Sequence, residues 1–270
     1  MTAPFEIEIQ GQVATLWLAN AARRNAMGPA FWSEMPAAVA SIEANEAVRA
    51  VVVAARGEHF SVGLDLVGMG PEFAPLLQGG LARERRKLFD RVHAMRQGFD
   101  AIEASRLPYI AAVHGACIGG GLDLIAACDV RLAAAGARFS LRETRIAIVA
   151  DLGSLQRLEG VIGRGHLREL AFTGKDIDAE RARAIGLVND VLATPADLLA
   201  AARAMADEIA ANSPLAVQGT KEVLHFSARH GVEAGLRYVA AWNAAHLASA
   251  DLQEAFAAFL EKRTPSFRGE

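Results

Sequence analysis

The chain has 270 residues, 52% of them hydrophobic and 22% charged, which supplies one large core and is too long for a minimal domain. With 28 basic against 31 acidic residues the formal charge is -3, which excludes a net electrostatic case for nucleic acid but leaves room for a local basic patch around a phosphate. Cys117 and Cys128 lie in apolar segments with no second pair, so they read as buried thiols and exclude a disulfide framework or zinc site.

The opening residues, MTAPFEIEIQG, have no charged n-region followed by an apolar h-region, and no apolar run is long enough to span a bilayer. A cytoplasmic protein with no membrane partner is expected. Residues 5–9 and 12–18 flank Gly11 and predict a hairpin. A polar connection over 19–27 leads into a helix over 28–48, with Phe31, Met35, Ala38, Val39 and Ile42 at helical spacing. The β-branched run 49–54 predicts a buried strand, 56–65 a loop, and the glycine- and proline-bearing stretch 67–80 a mobile segment. A helix over 82–106 is stopped by Pro108; a strand over 109–114, a helix over 119–128 and a strand over 129–133 follow. This alternation predicts an α/β layer structure with its active groups at strand ends. Beyond Gly153 the strand signal fades, and helices are expected at 154–160, 163–172, 178–186, 195–211, 215–228, 231–248 and 250–261. The expected organisation is an α/β core over 1–200 with a helical region, 201–270, packed against it.

Three features carry chemistry. Gly119, Gly120 and Gly121 stand at a strand-to-helix junction, where glycine lets the backbone approach a ligand and point amide N–H groups at it. The G-x-G-x-x-G spacing and the P-loop lysine are both missing, so the segment is not a nucleotide fingerprint. The turn HFSVGLDL (59–66) offers a second such site at Gly63, with Asp65 placed to cap a following helix. Two turns of this kind can converge two N–H groups on one oxygen. Three carboxylates follow, Asp123 and Asp151 among apolar residues and Glu143 beside Arg142 and Arg145. Each has a structural alternative: a helix-dipole partner at Asp123, a salt bridge to Arg142 or Arg145 at Glu143, and a helix cap at Asp151. Together with the donor turns they are the parts for removing a proton beside a thioester carbonyl, holding an enolate and returning the proton elsewhere. The seven histidines are scattered without metal-ligand spacing, and no metal is expected.

The motifs ARRNAM (22–27), HFSVGLDL (59–66), HGACIGGGLDLIAACDVRLAA (114–134), RETRIAIVADLGSLQRL (142–158), AFTGKDIDAERARAIGLVNDV (171–191) and SPLAVQGTKEVL (213–224) resemble those of the crotonase, or enoyl-CoA hydratase/isomerase, superfamily, in order and over most of the chain. Within it the chain most resembles the Δ3,5-Δ2,4-dienoyl-CoA isomerases, which carry an Asp after the glycines and a Glu and an Asp eight residues apart. Here these are Asp123, Glu143 and Asp151. The resemblance implies the crotonase fold, a spiral of ββα units with a helical C-terminal region that builds a homotrimer or a hexamer of two trimers. It implies an acyl-CoA thioester as substrate with no separate cofactor, and a place in unsaturated fatty acid β-oxidation. It assigns the backbone N–H groups of Leu64 and Gly120 to the thioester oxygen, and Val62, Gly63, Asp65 and Leu66 to the CoA groove. Arg23 or Arg24, with Lys262 of a neighbouring subunit, would reach the nucleotide phosphates. Asp151 would take a C2 proton, Glu143 would deliver one at C6, and Asp123 would tune both. Val62 departs from the small residue common at its position. The alternatives are an enoyl-CoA hydratase, in which Asp123 and Glu143 activate water, and an acyl-CoA-binding protein without activity.

Overall fold

Gly11, at φ 60°, closes the first hairpin: β1 (Phe5–Gln10) runs antiparallel to β2 (Val13–Leu18) in a computed structural model that describes residues 3–78 and 80–270. Then come α1 (Pro29–Glu43), β3 (Ala50–Ala55), α2 (Leu66–Gln78), α3 (Ala82–Ala104), β4 (Tyr109–Val113), β5 (Ala116–Ile118), α4 (Gly120–Ala126), β6 (Val130–Ala134) and β7 (Arg138–Ser140). After a 3-10 turn at Glu143–Ile146 the chain continues through α5 (Ser154–Arg157), α6 (Glu159–Thr173), β8 (Ile177–Asp178), α7 (Ala179–Ala184) and β9 (Asp190–Leu192). It finishes with α8 (Pro195–Ala210), α9 (Pro214–His230), α10 (Val232–His246) and α11 (Ala250–Glu261).

The main sheet has the order β1-β2-β3-β4-β6-β9, parallel from β2 onward, and a small sheet of order β5-β7-β8 stands apart from it. Both faces of the main sheet are covered, which is why its strands read as apolar runs. Leu16, Val51, Val53 and Ala111 point into one core with α1 and α3, while Val13, Val52, Ile110 and Leu132 point into the other. That second face is closed by α8, whose Leu198, Ala202, Ala206 and Ala210 repeat every four residues. Three alanines on that stripe let the helix sit close to the strands.

Beyond α8, Phe226 of α9 stacks on Tyr238 of α10 with ring centroids 4.3 Å apart. Lys221 fastens α9 to the core: its Nζ donates to the Leu107 carbonyl at 2.8 Å and to Asp129 at 2.8 Å.

Two expectations fail here. The 67–80 segment, expected to be mobile, is helical through α2; of its residues, Gly79 lies outside those described. Pro71 and Pro75 withhold two N–H groups from that helix, but Asp65 Oδ1 accepts from Gly68 N at 2.9 Å at its start and Met69 is fully buried. Tertiary packing therefore overrides propensity. The strand signal also does not end at Gly153: β8 and β9 extend the two sheets, but runs of two and three residues are too short to show alternation. The break expected between 160 and 163 does occur, at Gly163 (φ 74°, ψ 162°) inside α6.

Candidate active site

The two glycine turns lie side by side because the chain stitches them together. Ser61 N donates to the Ala116 carbonyl and Ile118 N to the Ser61 carbonyl, joining the 59–66 loop to β5. On the other flank, Val62 N donates to Arg24 O, Met27 N to Gly63 O and Asp65 N to Met27 O. The Ser61 hydroxyl accepts from Gly63 N and donates to Asn25 O. These bonds satisfy every neighbour of Leu64 and leave its own N–H without an acceptor among the described residues. Gly120 N, at the first position of α4, has none either, as helix geometry requires of the first turn.

The two free N–H groups open onto one space. A Cβ at Gly63 (φ 82°) would come within 2.6 Å of the Ile118 carbonyl oxygen and 3.2 Å of Gly120 N. A Cβ at Gly120 would meet Met27 Sδ at 2.8 Å and stand 3.9 Å from Leu64 N. Glycine at these positions keeps the backbone of both turns in contact and the space between them clear. Such a pair has the geometry of an oxyanion hole.

That space is one end of a cavity of about 560 Å³. Its walls are Leu66 and Phe73 of α2, Leu88, Val92 and Met95 of α3, and Ile118, Ile146, Ile148 and Leu152 opposite. Asp123, Glu143 and Asp151 all reach this otherwise apolar lining.

Asp123 is buried in α4, and its Oδ1 accepts from Ser154 N at 2.7 Å. Burial pushes its carboxyl up to about 7; the Ser154 amide and nearby hydroxyl pull it down in part, and the charges of Glu143 and Asp151 push it further up. The Ser154 hydroxyl faces that carboxyl without forming a well-aligned hydrogen bond. Glu143 is raised first by burial and then by Asp151, and its Oε2 is enclosed with no partner. Asp151 shows much of its surface to solvent, yet contact of its carboxyl with the cavity wall raises it too. Three carboxyls in one apolar cavity, all displaced upward, form a coupled set that holds protons at higher pH than ordinary acids.

Of the residues expected from sequence, Asp123, Glu143, Asp151, Val62, Gly63, Leu64, Leu66 and Gly120 meet at this cavity. Asp65 does not: its carboxylate is turned into the fold, capping α2 and accepting from Arg23 Nη2 at 2.9 Å. Arg23 is thereby engaged, Arg24 is an exposed left-handed residue at φ 53°, and Lys262 caps the C-terminus of α11 away from the lining. Sequence reasoning missed Met27, whose sulfur seats Gly120, and offered Arg142 only as a salt-bridge partner for Glu143, whereas it lines the cavity beside Glu143 while bound to Asp176. Adjacency to Glu143 was the only available sign of Arg142. Among the described residues no group of three His, Cys, Asp or Glu is arranged to hold a metal ion, and no helix is long and apolar enough to cross a membrane.

A family model described as enoyl-CoA hydratase/isomerase matches residues 8–270. The mitochondrial Δ(3,5)-Δ(2,4)-dienoyl-CoA isomerase of Dictyostelium discoideum is 41% identical over 260 residues, 95% of this chain and 87% of that protein. The peroxisomal Δ(3,5)-Δ(2,4)-dienoyl-CoA isomerase of Arabidopsis thaliana is 42% identical over 244 residues, 90% of this chain and 88% of that protein. Among solved structures, the enoyl-CoA hydratase from Bacillus anthracis superimposes with a TM-score of 0.90 at 30% identity, covering 99% of this chain and 100% of that one. The cytoplasmic expectation does not stand beside relatives named for mitochondria and peroxisomes; the opening residues were a poor guide to compartment.

Proposed function

The chain belongs to the enoyl-CoA hydratase/isomerase family and has the crotonase fold, and from that premise we propose that it converts a 3,5-dienoyl-CoA to the 2,4-dienoyl-CoA. The observation that carries this reading is the convergence of three carboxyls on an apolar cavity beside two free backbone N–H groups. The relatives named Δ(3,5)-Δ(2,4)-dienoyl-CoA isomerase support it over hydration.

The thioester oxygen sits between Leu64 N–H and Gly120 N–H, where each donor contributes ~2.7–4 kcal/mol as negative charge develops. Asp151, ionised, takes the C2 proton, which the thioester and the diene acidify. The C2–H electrons form C2=C3, the C3=C4 pair moves to C4=C5, and the C5=C6 pair takes a proton at C6 from neutral Glu143. Its raised pKa suits Glu143 to enter this step protonated. Asp151 finishes protonated and Glu143 ionised, and exchange with water resets them. Asp123, bound to Ser154 N, lies within the field of both and is assigned to tune and orient the pair. No cofactor is required, because the thioester itself makes the proton acidic. Arg24 and a neighbouring subunit's Lys262 reach the CoA phosphates, and Val62 narrows the mouth. The 201–270 region assembles a homotrimer or a pair of trimers, a role supported by Leu224, Leu236, Phe256, Phe259 and Leu260 exposed on α9, α10 and α11.

The test offers 3,5-octadienoyl-CoA and follows the conjugated 2,4-diene absorbance, with hydration of a 2-enoyl-CoA run in parallel. The reading requires diene formation that disappears in Asp151→Asn and Glu143→Gln. Hydration without diene formation would move the assignment to an enoyl-CoA hydratase.

A further inference from the structure

Arg157, the last residue of α5, is only 12% exposed and is not itself part of the cavity lining, yet its three nitrogens are all engaged. Nη1 donates to the Leu152 carbonyl at 3.1 Å, Nη2 to Asp100 at 2.7 Å and Nε to Glu103 at 2.8 Å. Asp100 and Glu103 belong to α3, the helix whose Leu88, Val92 and Met95 form one wall of the cavity. The charges continue outward: Asp100 also holds Arg96 at 2.8 Å, and Glu103 holds Arg229 of α9 at 3.3 Å. The guanidinium lies against Gly153, four residues earlier in the chain. A Cβ at Gly153 (φ 121°) would fall 1.9 Å from Nη1, so only glycine permits this seat.

The loop that presents Asp151 is therefore held at two points. Arg157 holds the carbonyl of Leu152, and Asp123 holds the amide of Ser154, with Gly153 between them. Glycine at φ 121° is the weak point of such a loop, because it has the widest choice of alternative conformations. A planar fork bound on three sides restricts that choice in a way that a single point charge cannot.

We propose that Arg157 is a positioning residue that registers the Asp151 carboxyl against the acyl-binding wall of α3, so that the base stands at a fixed offset from a seated acyl chain. The proposal rests on the assignment of Asp151 as the base. It predicts a signature that simple support of the fold lacks. Misplacing a base affects turnover more than substrate capture, since the acyl wall and the N–H pair that hold the substrate remain in place.

The experiment compares wild type with Arg157→Gln, Arg157→Lys, Glu103→Gln and the Glu103→Gln/Arg157→Gln double variant. Three quantities are read: kcat and KM on 3,5-octadienoyl-CoA, and hydrogen exchange of the Ser154 amide without substrate. Arg157→Gln is expected to lose about tenfold or more in kcat with KM within about twofold, and to speed Ser154 exchange. Arg157→Lys should recover part of the loss, and the double variant should be no worse than Arg157→Gln alone. Undiminished kcat, a loss confined to KM, additive single losses, or unchanged Ser154 exchange would each overturn the proposal. If Arg157→Gln does not fold, Glu103→Gln decides in the same way, since Glu103 is partly exposed and keeps its partner Arg229. Wild type inactive on the diene is failure of the functional assignment; slow Ser154 exchange lost in the variants is read independently of it.

Discussion

Asp123→Asn tests the electrostatics of the site through stability. The buried Asp123 carboxyl titrates at about 7 against 3.8 for an ordinary aspartate. The folded protein therefore keeps this proton over a pH range in which the unfolded chain has released it. Its stabilising contribution is complete below the unfolded value, falls as pH rises, and is lost once pH passes about 7. At ~1.4 kcal/mol per pH unit the gap amounts to about 4 kcal/mol. Asparagine has the same shape, keeps an Oδ1 to accept from Ser154 N, and carries no charge at any pH. Relative to wild type, Asp123→Asn should gain about 4 kcal/mol of stability between pH 4 and pH 8, while its diene turnover falls. For a chain of this length that corresponds to a Tm advantage at pH 8 of roughly 8–16 °C. Urea titrations of both proteins at pH 4, 6 and 8 measure it. Stability curves that run parallel across this range would show an Asp123 titrating like a surface aspartate and would refute the argument.

Gly120→Ala places a methyl against Met27 Sδ and into the space between the two N–H donors; diene turnover should fall about 10²–10³-fold, the cost of one oxyanion donor, and a variant within fivefold of wild type would remove the assignment. The kcat–pH profile should be bell-shaped, with Asp151 ionised and Glu143 protonated in the active form. Because both pKa values are raised, the acid limb should lie above 3.8 and the alkaline limb above 4.5; limbs at or below those values would contradict it. Lys221→Met leaves Asp129 and the Leu107 carbonyl without their cation and should cost about 3 kcal/mol or more in urea unfolding, with Asp129→Asn/Lys221→Met costing less than the two single changes together.

The parts of the site that were legible in sequence are those in which residue type states its own requirement. Three glycines before a helix announce a close approach, and Asp123 and Asp151 are conspicuous because carboxylates are costly in apolar segments, whereas Glu143, beside Arg142 and Arg145, stands out by its eight-residue spacing from Asp151. Asp65 carried two readings, a cap for the following helix and, from the resemblance, a part of the CoA groove, and the structure shows the cap. It sits in the right turn, but an aspartate at a helix start also satisfies backbone N–H groups, and here it caps α2 and pairs with Arg23. The helix α2 was illegible because Pro71 and Pro75 argue locally against it, and what stabilises it, burial of Met69 and the α3 contact, is long-range. Arg157 was invisible for the same reason: its partners are a neighbouring carbonyl and two acids more than fifty positions earlier.

The supports of the two proton-moving acids also bear on which reaction the cavity suits. Glu143 rides on the 3-10 turn at Glu143–Ile146, which is anchored to the end of α6: the Thr144 hydroxyl donates to the Ala171 carbonyl at 2.9 Å and Arg145 Nε to the Thr173 carbonyl at 3.2 Å. Asp151 rides on a loop anchored to α3 through Arg157. The acids are thus mounted on different elements, each braced from outside the cavity, and interact through space: the Asp151 charge raises Glu143, and both raise Asp123. Hydration needs two acids gathered around one water at adjacent carbons. A diene shift instead needs a base and an acid at the ends of a five-carbon span, in opposite protonation states and held apart while charge passes along the chain. Separate mounts fix that separation, and the raised pKa values of all three carboxyls keep a proton available within the set. Shortening Glu143 to aspartate would leave its charge and mount intact but withdraw the carboxyl by one methylene. Such a variant should retain exchange of the C2 proton with solvent while losing delivery at C6, an outcome that a water-activating pair would not produce.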